Sequence, residues 1–334
     1  RDTIWNLKLK GSVYFDGLAF NTKRGAFLEK KPTELDLKMS FTPQNSHLQI
    51  ESSEVRVNQD VFGLKGAFNF VKEGRVQLEI STDTIAALRA LTILPKKLAQ
   101  RIAKHKVLPV LKATVRLNGL LQGGNTPRVD IDLKTQPFKY KSPIGPLSKV
   151  TALAHFTNQL DDNQLTGDQN SRITARNVYG LLHGVIPVNT SFTITDLNDP
   201  QVVMQGDLKA DLVRCNSLFD ENKIQLKTGK MMVTYSYKGK MAPVFDDRNN
   251  RLNGKLVGHL ALENGGFTYV AQGMNFTRMN SEIRFNEKVF DVPFLHLNHQ
   301  KNQIRISGKI TGLLPYVFNS PGKVVGDISI YTPN

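Results

Sequence analysis

The sequence predicts a mainly β fold: a long curled antiparallel sheet folded over into a groove, taco-like, with two or three short helices. Three observations point there. Apolar and polar residues alternate strictly through short runs along the chain, which is the mark of a strand with one apolar face. Gly, Asn, Asp and Pro cluster between these runs, as at 122–127, 161–171 and 246–254, and read as turns and loops. Helical periodicity is confined to a few stretches.

Taken in order, "IWNLKLKGSVYF" (4–15) opens the chain as a strand, and "ELDLKMSF" (34–41) puts Leu35, Leu37, Met39 and Phe41 on one face. The main helical segment is 82–106, where Ile85, Leu88, Leu91, Leu94, Leu98 and Ile102 form one stripe. Asp83 is its expected N-cap, and Pro95 is expected to split it in two. "RVDIDLKT" (128–135) is a strand through Val129, Ile131 and Leu133. In "FKYKSP" (138–143), Phe138 and Tyr140 alternate away from Lys139 and Lys141. "NTSFTITD" (189–196), "KMMVTYSYKG" (230–239) and "NQIRISGKI" (302–310) follow the same rule. "ADLVRCNSLF" (210–219) is a short helix, "TGLLPYVF" (311–318) a turn or short helix, and "KVVGDISIY" (323–331) a terminal strand. Strand candidates number roughly eighteen.

The chain also resembles itself. "FKYKSPIGPLSKVTALAHF" (138–156) aligns without a gap on "FTYVAQGMNFTRMNSEIRF" (267–285), matching Phe138 with Phe267, Tyr140 with Tyr269 and Phe156 with Phe285. Phe41, Phe156 and Phe285 are each followed by a glycine-bearing strand, at Gly66, Gly180 and Gly308. Three loose repeats are read, about 1–110, 111–228 and 229–334, forming one continuous elongated region. Eighteen strands at about 4.8 Å spacing give a sheet roughly 85 Å wide, beyond the size at which open sheets curl or split. So few helical residues leave part of so long an apolar face open unless the sheet closes into a sandwich, and an uncovered face implies an apolar ligand or partner.

Length and charge bound the function. The 334 residues suffice for one large or two ordinary domains, and 40% apolar content permits an ordered core. Lys and Arg exceed Asp and Glu by 44 − 29 = 15, which favours anionic partners. Apart from "KKLAQRIAKHK" (96–106), however, the basic residues are dispersed. In that segment Lys97, Arg101 and Lys104 are candidate headgroup contacts. One cysteine, Cys215, excludes an intramolecular disulfide and a cysteine metal cluster. No apolar run is long enough to span a membrane as a helix. The opening at Arg1 reads as a fragment or processed product, from which any anchor or signal could have been removed.

Catalytic patterns are not found. His296 and His299 lie three apart on a strand and face opposite ways, so they cannot share a metal. The Asp pairs at 161–162 and 246–247 lie in Asn-rich loops and read as turn residues. "GLLQGGN" (119–125) lacks phosphate-loop spacing, and no nucleophile elbow occurs. Nucleic acid, cofactors, metals and catalytic residues are not expected.

The repeated Phe-x-Tyr block (138–180, 267–308), "TSFTITDLNDPQVVMQGDLKADLVRCNSLF" (190–219) and "VTYSYKGK" (233–240) together resemble the AsmA-like family of bacterial envelope proteins, related to TamB and bridge-like β-groove lipid-transfer proteins. The resemblance implies a periplasmic β-groove protein tethered to the inner membrane. It would shelter lipid acyl chains in phospholipid transport and outer-membrane biogenesis or envelope integrity. Its partners would be phospholipid or another acyl lipid, with outer-membrane or inner-membrane proteins beside it. The expected lining is Leu35, Leu37, Met39, Phe41, Phe138, Tyr140, Val150, Ala152, Ala154, Phe156, Phe267, Tyr269, Ile283 and Phe285. The alternative is a non-catalytic assembly factor for outer-membrane proteins with a closed β core.

Overall fold

The computed structural model describes residues 3–17, 28–71, 74–94, 96–103, 109–120, 126–142, 144–241, 245–246, 251–314 and 323–333. Strands make up 70% of it and helices 8%. The first strands are β1 (Trp5–Phe15), β2 (Lys31–Thr42), β3 (His47–Val57), β4 (Asp60–Asn69) and β5 (Arg75–Ala86). Two helices, α1 (Ala87–Leu91) and α2 (Lys96–Ala103), precede β6 (Val110–Leu120), β7 (Arg128–Thr135), β8 (Phe138–Ser142) and β9 (Gly145–Thr157). Next come β10 (Arg172–Leu182), β11 (Ile186–Thr195), β12 (Gln201–Asp211), a 3-10 segment at Leu212–Leu218 and β13 (Ile224–Lys240). A two-stranded ribbon of β14 (Phe245–Asp246) and β15 (Arg251–Leu252) leads to β16 (Gly254–Tyr269), β17 (Met274–Asn286), β18 (Val289–His299), β19 (Asn302–Thr311) and β20 (Val325–Tyr331).

Eighteen of the strands belong to one antiparallel sheet, which is not closed. Most strands pair with the next in the chain, as β1 with β2 and β19 with β20; β7 reaches β9, and β13 reaches β16 past the ribbon. Short turns make this possible. Asn58, at φ 54°, joins β3 to β4, and Gly273, at φ 63°, closes the turn before β17. Both occupy the left-handed region, where Asn and Gly carry the least steric cost.

Contacts divide the chain into two units, one of residues 1–138, 152–174 and 196–198, the other of 139–151, 175–195 and 199–334. In the first, Val57, Phe62 and Ile85 are buried, and Ala90 and Ile93 after β5 pack on them. Arg89 of α1 grips the buried Asp60 carboxylate with two 3.0 Å bonds from Nε and a 2.9 Å contact from Nη2, fixing the helix to the start of β4. In the second, Leu212 and Cys215 of the 3-10 segment enter a cluster with Leu182, Ile186, Leu226, Met279 and Leu297. Asn216 ties that segment down through Leu226, donating to its carbonyl at 2.9 Å and accepting from its N–H at 2.7 Å. Desolvation there pushes the Cys215 thiol pKa up, which keeps it protonated.

Two helical expectations fail. The helix predicted from 82 does not begin there: β5 runs on to Ala86, and Asp83 is an exposed strand residue paired with Lys112 rather than an N-cap. Ile85 is 2% exposed and sits opposite Leu111 in the ladder. β-Branched Thr82, Thr84 and Ile85 suit a strand, and pairing with β6 outweighs the local helical stripe. α1 ends at Leu91 and α2 begins at Lys96, and Pro95, expected to split the helix, lies outside the described residues. The segment 210–219 forms the 3-10 turn Leu212–Leu218 rather than an α-helix, and of 311–318 residues 315–318 lie outside the described residues.

The polar face of the first unit is laced with ion pairs. Glu79 pairs with Lys65 and Arg116, Arg116 reaches Asp132, and Asp132 meets His155 Nδ1 at 2.8 Å. Lys65 and then Arg116 hold the Glu79 carboxyl below its ordinary pKa, and Arg116 and then His155 do the same for Asp132.

Two predictions follow from this architecture. Ile85→Ala, at a closed packing site, costs about 3 kcal/mol, whereas Leu37→Ala on the half-buried apolar face costs about 1 kcal/mol because little cavity is left. Equal losses in denaturant unfolding would show the two sites to be packed alike. Because Glu79 and Asp132 have depressed folded pKa values, their contribution is complete above the ordinary carboxylate range and is lost as pH falls through and below it. Thermal melts from pH 7 to pH 3 therefore decline less steeply in Arg116→Ala, which at neutral pH is less stable by about 1 kcal/mol or less. Parallel declines in the two proteins count against the ladder.

Candidate functional site

The register places each expected lining residue. Leu37, Met39 and Phe41 of β2 stand opposite Leu9, Leu7 and Trp5 of β1, and Leu35 opposite Gly11. From Met39 one apolar row crosses the first unit through Ile50, Gly66, Leu78, Leu117 and Val129. Ile131 faces Phe156, and Leu133 faces Ala154. Apart from buried Ile50 and the β1 rim, these side chains are half-buried, as are Ala152 and Phe138. At that rim Trp5, Leu7 and Leu9 are 54%, 45% and 47% exposed.

In the second unit Ile283 faces Leu260, which faces Val233, which faces Leu208. Phe285 stacks on Phe290 at 5.2 Å and lies over Gly258, where a Cβ would collide with its ring. Tyr235 lies over Gly206 in the same way. Burial raises the Tyr235 pKa, so its hydroxyl stays neutral on this face.

Three expected lining residues, Val150, Tyr140 and Tyr269, need correction, while Phe267 stays half-buried beside a closed cluster. Val150 is 5% exposed, so it is fully packed rather than available to a ligand. Phe267 packs into the Leu212–Cys215 cluster, stacked on Phe276 at 4.7 Å. Its place follows from two β-bulges, at Asn264 and Arg278, which insert one residue in each strand and return Phe267 and Phe276 to the face of Leu262. Tyr140, in the middle of the short β8, and Tyr269, at the end of β16, lie toward solvent, 37% and 36% exposed. Of the basic candidates, the side chains of Lys97 and Arg101 on α2 and the whole of Lys104 lie outside the described residues.

Sequence reasoning missed Trp5, Leu7, Leu9, Leu78, Leu117 and Leu260 as members of the face. The alternation that marked Leu35–Phe41 was present in each of their strands.

The opposite, polar face of the second unit is hollow. A depression of about 1320 Å³ runs across it. One wall is the row Asn189, Asp207, Thr234, His259 and Arg284, and the other is Ser191, Gln205, Ser236, Val257 and Asn286. The strand residues between the rows, including Gly206 and Gly258, form its floor. A twisted sheet is saddle-shaped, so a concavity can open on the face that carries no core.

His296 and His299 occupy opposite faces of β18, beside Phe294 and Phe276 respectively. Among the described residues no three His, Cys, Asp or Glu side chains form a metal-binding group, and no helix is long and apolar enough to cross a membrane. No family model matches the chain, and neither the curated proteins nor the solved structures contain a match to it.

Proposed function

We propose that the chain shelters lipid acyl chains along its apolar strand face. The observation that carries this reading is incomplete burial: in each unit a small cluster around a helical segment is closed, while many of the other same-face side chains, Leu37, Phe41, Leu78, Leu117, Ile283 and Phe285 among them, stay half-buried. Each Å² of that face covered by an acyl chain contributes about 25 cal/mol, with no covalent step.

With the family resemblance, the reading extends to phospholipid transport in outer-membrane biogenesis or envelope integrity, in the periplasm, with an inner-membrane tether outside this chain. The second reading, an assembly factor for outer-membrane proteins, draws on the exposed edge strand β20, where Ile328 and Ile330 are 49% and 67% exposed. An unpaired edge of this kind accepts a further strand. Its original form, with a closed β core, does not fit a sheet that is not closed.

Native mass spectrometry of gently purified protein is expected to find co-purified phospholipid, and delipidated protein is expected to extract labelled phospholipid from vesicles. A lipid-free protein that extracts none would end the acyl-chain reading. Ile283→Asp, which puts a charge on the apolar face, is expected to abolish extraction, while Lys255→Asp on the polar face leaves it intact. Unchanged extraction by a folded Ile283→Asp protein would favour the assembly reading.

A further inference from the structure

We propose that the hollow on the polar face of the second unit is a binding site for a neutral glycan chain. The argument begins with a contrast. On the polar face of the first unit the long side chains engage one another, as in the run Lys65, Glu79, Arg116, Asp132 and His155. In the hollow of the second unit, Asn177, Asn189, Ser191, Gln205, Thr234 and Ser236 bring amides and hydroxyls to the lining. None of these six makes a side-chain hydrogen bond to another described residue. They are therefore free to exchange water for a ligand without breaking an internal bond, so the ordinary penalty for disrupting a network is absent.

The chemistry of the lining selects the ligand class. Amides and hydroxyls each donate and accept, which is the complement of a polyhydroxylated chain. Formal charges balance within the depression: Asp207 and Asp291 offset Arg284 and Lys309, with His259 between them in the row. The chain as a whole carries +15, so the hollow is a neutral site on a basic protein, and an anion gains no particular advantage there. Two apolar surfaces, Tyr179 at 38% and Val257 at 61% exposed, face the same space and suit the C–H face of a sugar ring.

Geometry sets the ligand's form. The two walls run across strands, so their polar groups recur at about 4.8 Å, comparable to the advance of one sugar ring along an extended chain. A chain lying between the walls meets a fresh pair of side chains at each ring. The same geometry confines the role to binding. Asp207 on β12 and Asp291 on β18 are four strand steps apart, about 19 Å, whereas glycoside hydrolysis needs carboxyls within about 5–9.5 Å. Since this site lies on the face opposite the apolar one, it stands whether or not the acyl-chain reading does.

The test is titration of the full chain with cellopentaose and chitopentaose as neutral probes and an oligogalacturonate of equal length as the acidic comparator, followed by calorimetry and amide chemical shifts, in low and high salt. Saturable binding of a neutral pentamer, insensitive to salt and with shifts centred on β11–β13, is the expected result. Gln205 and Ser236 are exposed, so the double variant Gln205→Ala/Ser236→Ala keeps the fold; it is expected to bind about tenfold or more weakly. The proposal is overturned if neither neutral pentamer binds, if the double variant binds as well as the parent, or if only the acidic oligomer binds and salt abolishes it.

Discussion

The constraint on which the rest of this structure depends is the two-residue period of a strand. Alternation gives every strand one apolar and one polar side, and antiparallel pairing carries each side across to its neighbour, so burial becomes a question of what lies over a continuous face. In a sandwich a second sheet covers it. Here, among the described residues, short helical segments lie on the apolar side of each unit: Arg89 pins α1 through Asp60, and Asn216 pins the 3-10 turn through Leu226. Those segments complete small dry clusters. They are too short to cover a face built from so many strands, and half-buried apolar side chains are the consequence.

Keeping that face continuous requires corrections to the period. Met279 follows Phe276 by three residues, and Phe267 follows Leu262 by five, so simple alternation would send one of each pair to solvent. Residues at positive φ, Asn264 at 49° and Arg278 at 50°, mark the bulges that take up the extra residue. Lys149, at φ 52°, stands between Leu147, which packs on the main cluster, and buried Val150. Left-handed backbone at Arg278 carries steric cost, and the bulge there brings Phe276 onto Phe267, a packing contact that counters it.

What the sequence made legible follows from the same physics. Strand identity and the facing of Leu35, Leu37, Met39 and Phe41 were readable because alternation is local. The likeness between 138–156 and 267–285 was readable for that reason too, although Phe138 begins the short β8 whereas Phe267 lies near the end of the sixteen-residue β16. The start of the helix was misread because the stripe from Ile85 to Ile102 is local evidence for a helix, while the pairing of Ile85 with Leu111 is a tertiary fact. The exclusion of Val150 from the lining depends on its depth of burial, which alternation does not reveal. The polar hollow was invisible for a further reason: its walls come from many strands, and sheet twist has no signature in any one of them.

The two polar faces show how one backbone pattern can be put to different ends by side-chain length. Long charged residues such as Lys65, Glu79 and Arg116 reach across the gap between strands, pair, and fill the space above the sheet. Short groups such as Ser191, Thr234 and Ser236 cannot bridge that gap, so they leave it open and keep their hydrogen-bonding capacity for solvent. Surface ion pairs contribute little stability each, and exposed hydroxyls contribute almost none, so neither choice is dictated by folding alone. A face that gives up its cross-strand pairs loses little stability and gains a concave surface whose donors and acceptors are unspent. On the apolar side the same economy holds with the opposite polarity: short helical segments close what folding requires and leave the remaining face to whatever apolar surface comes to cover it.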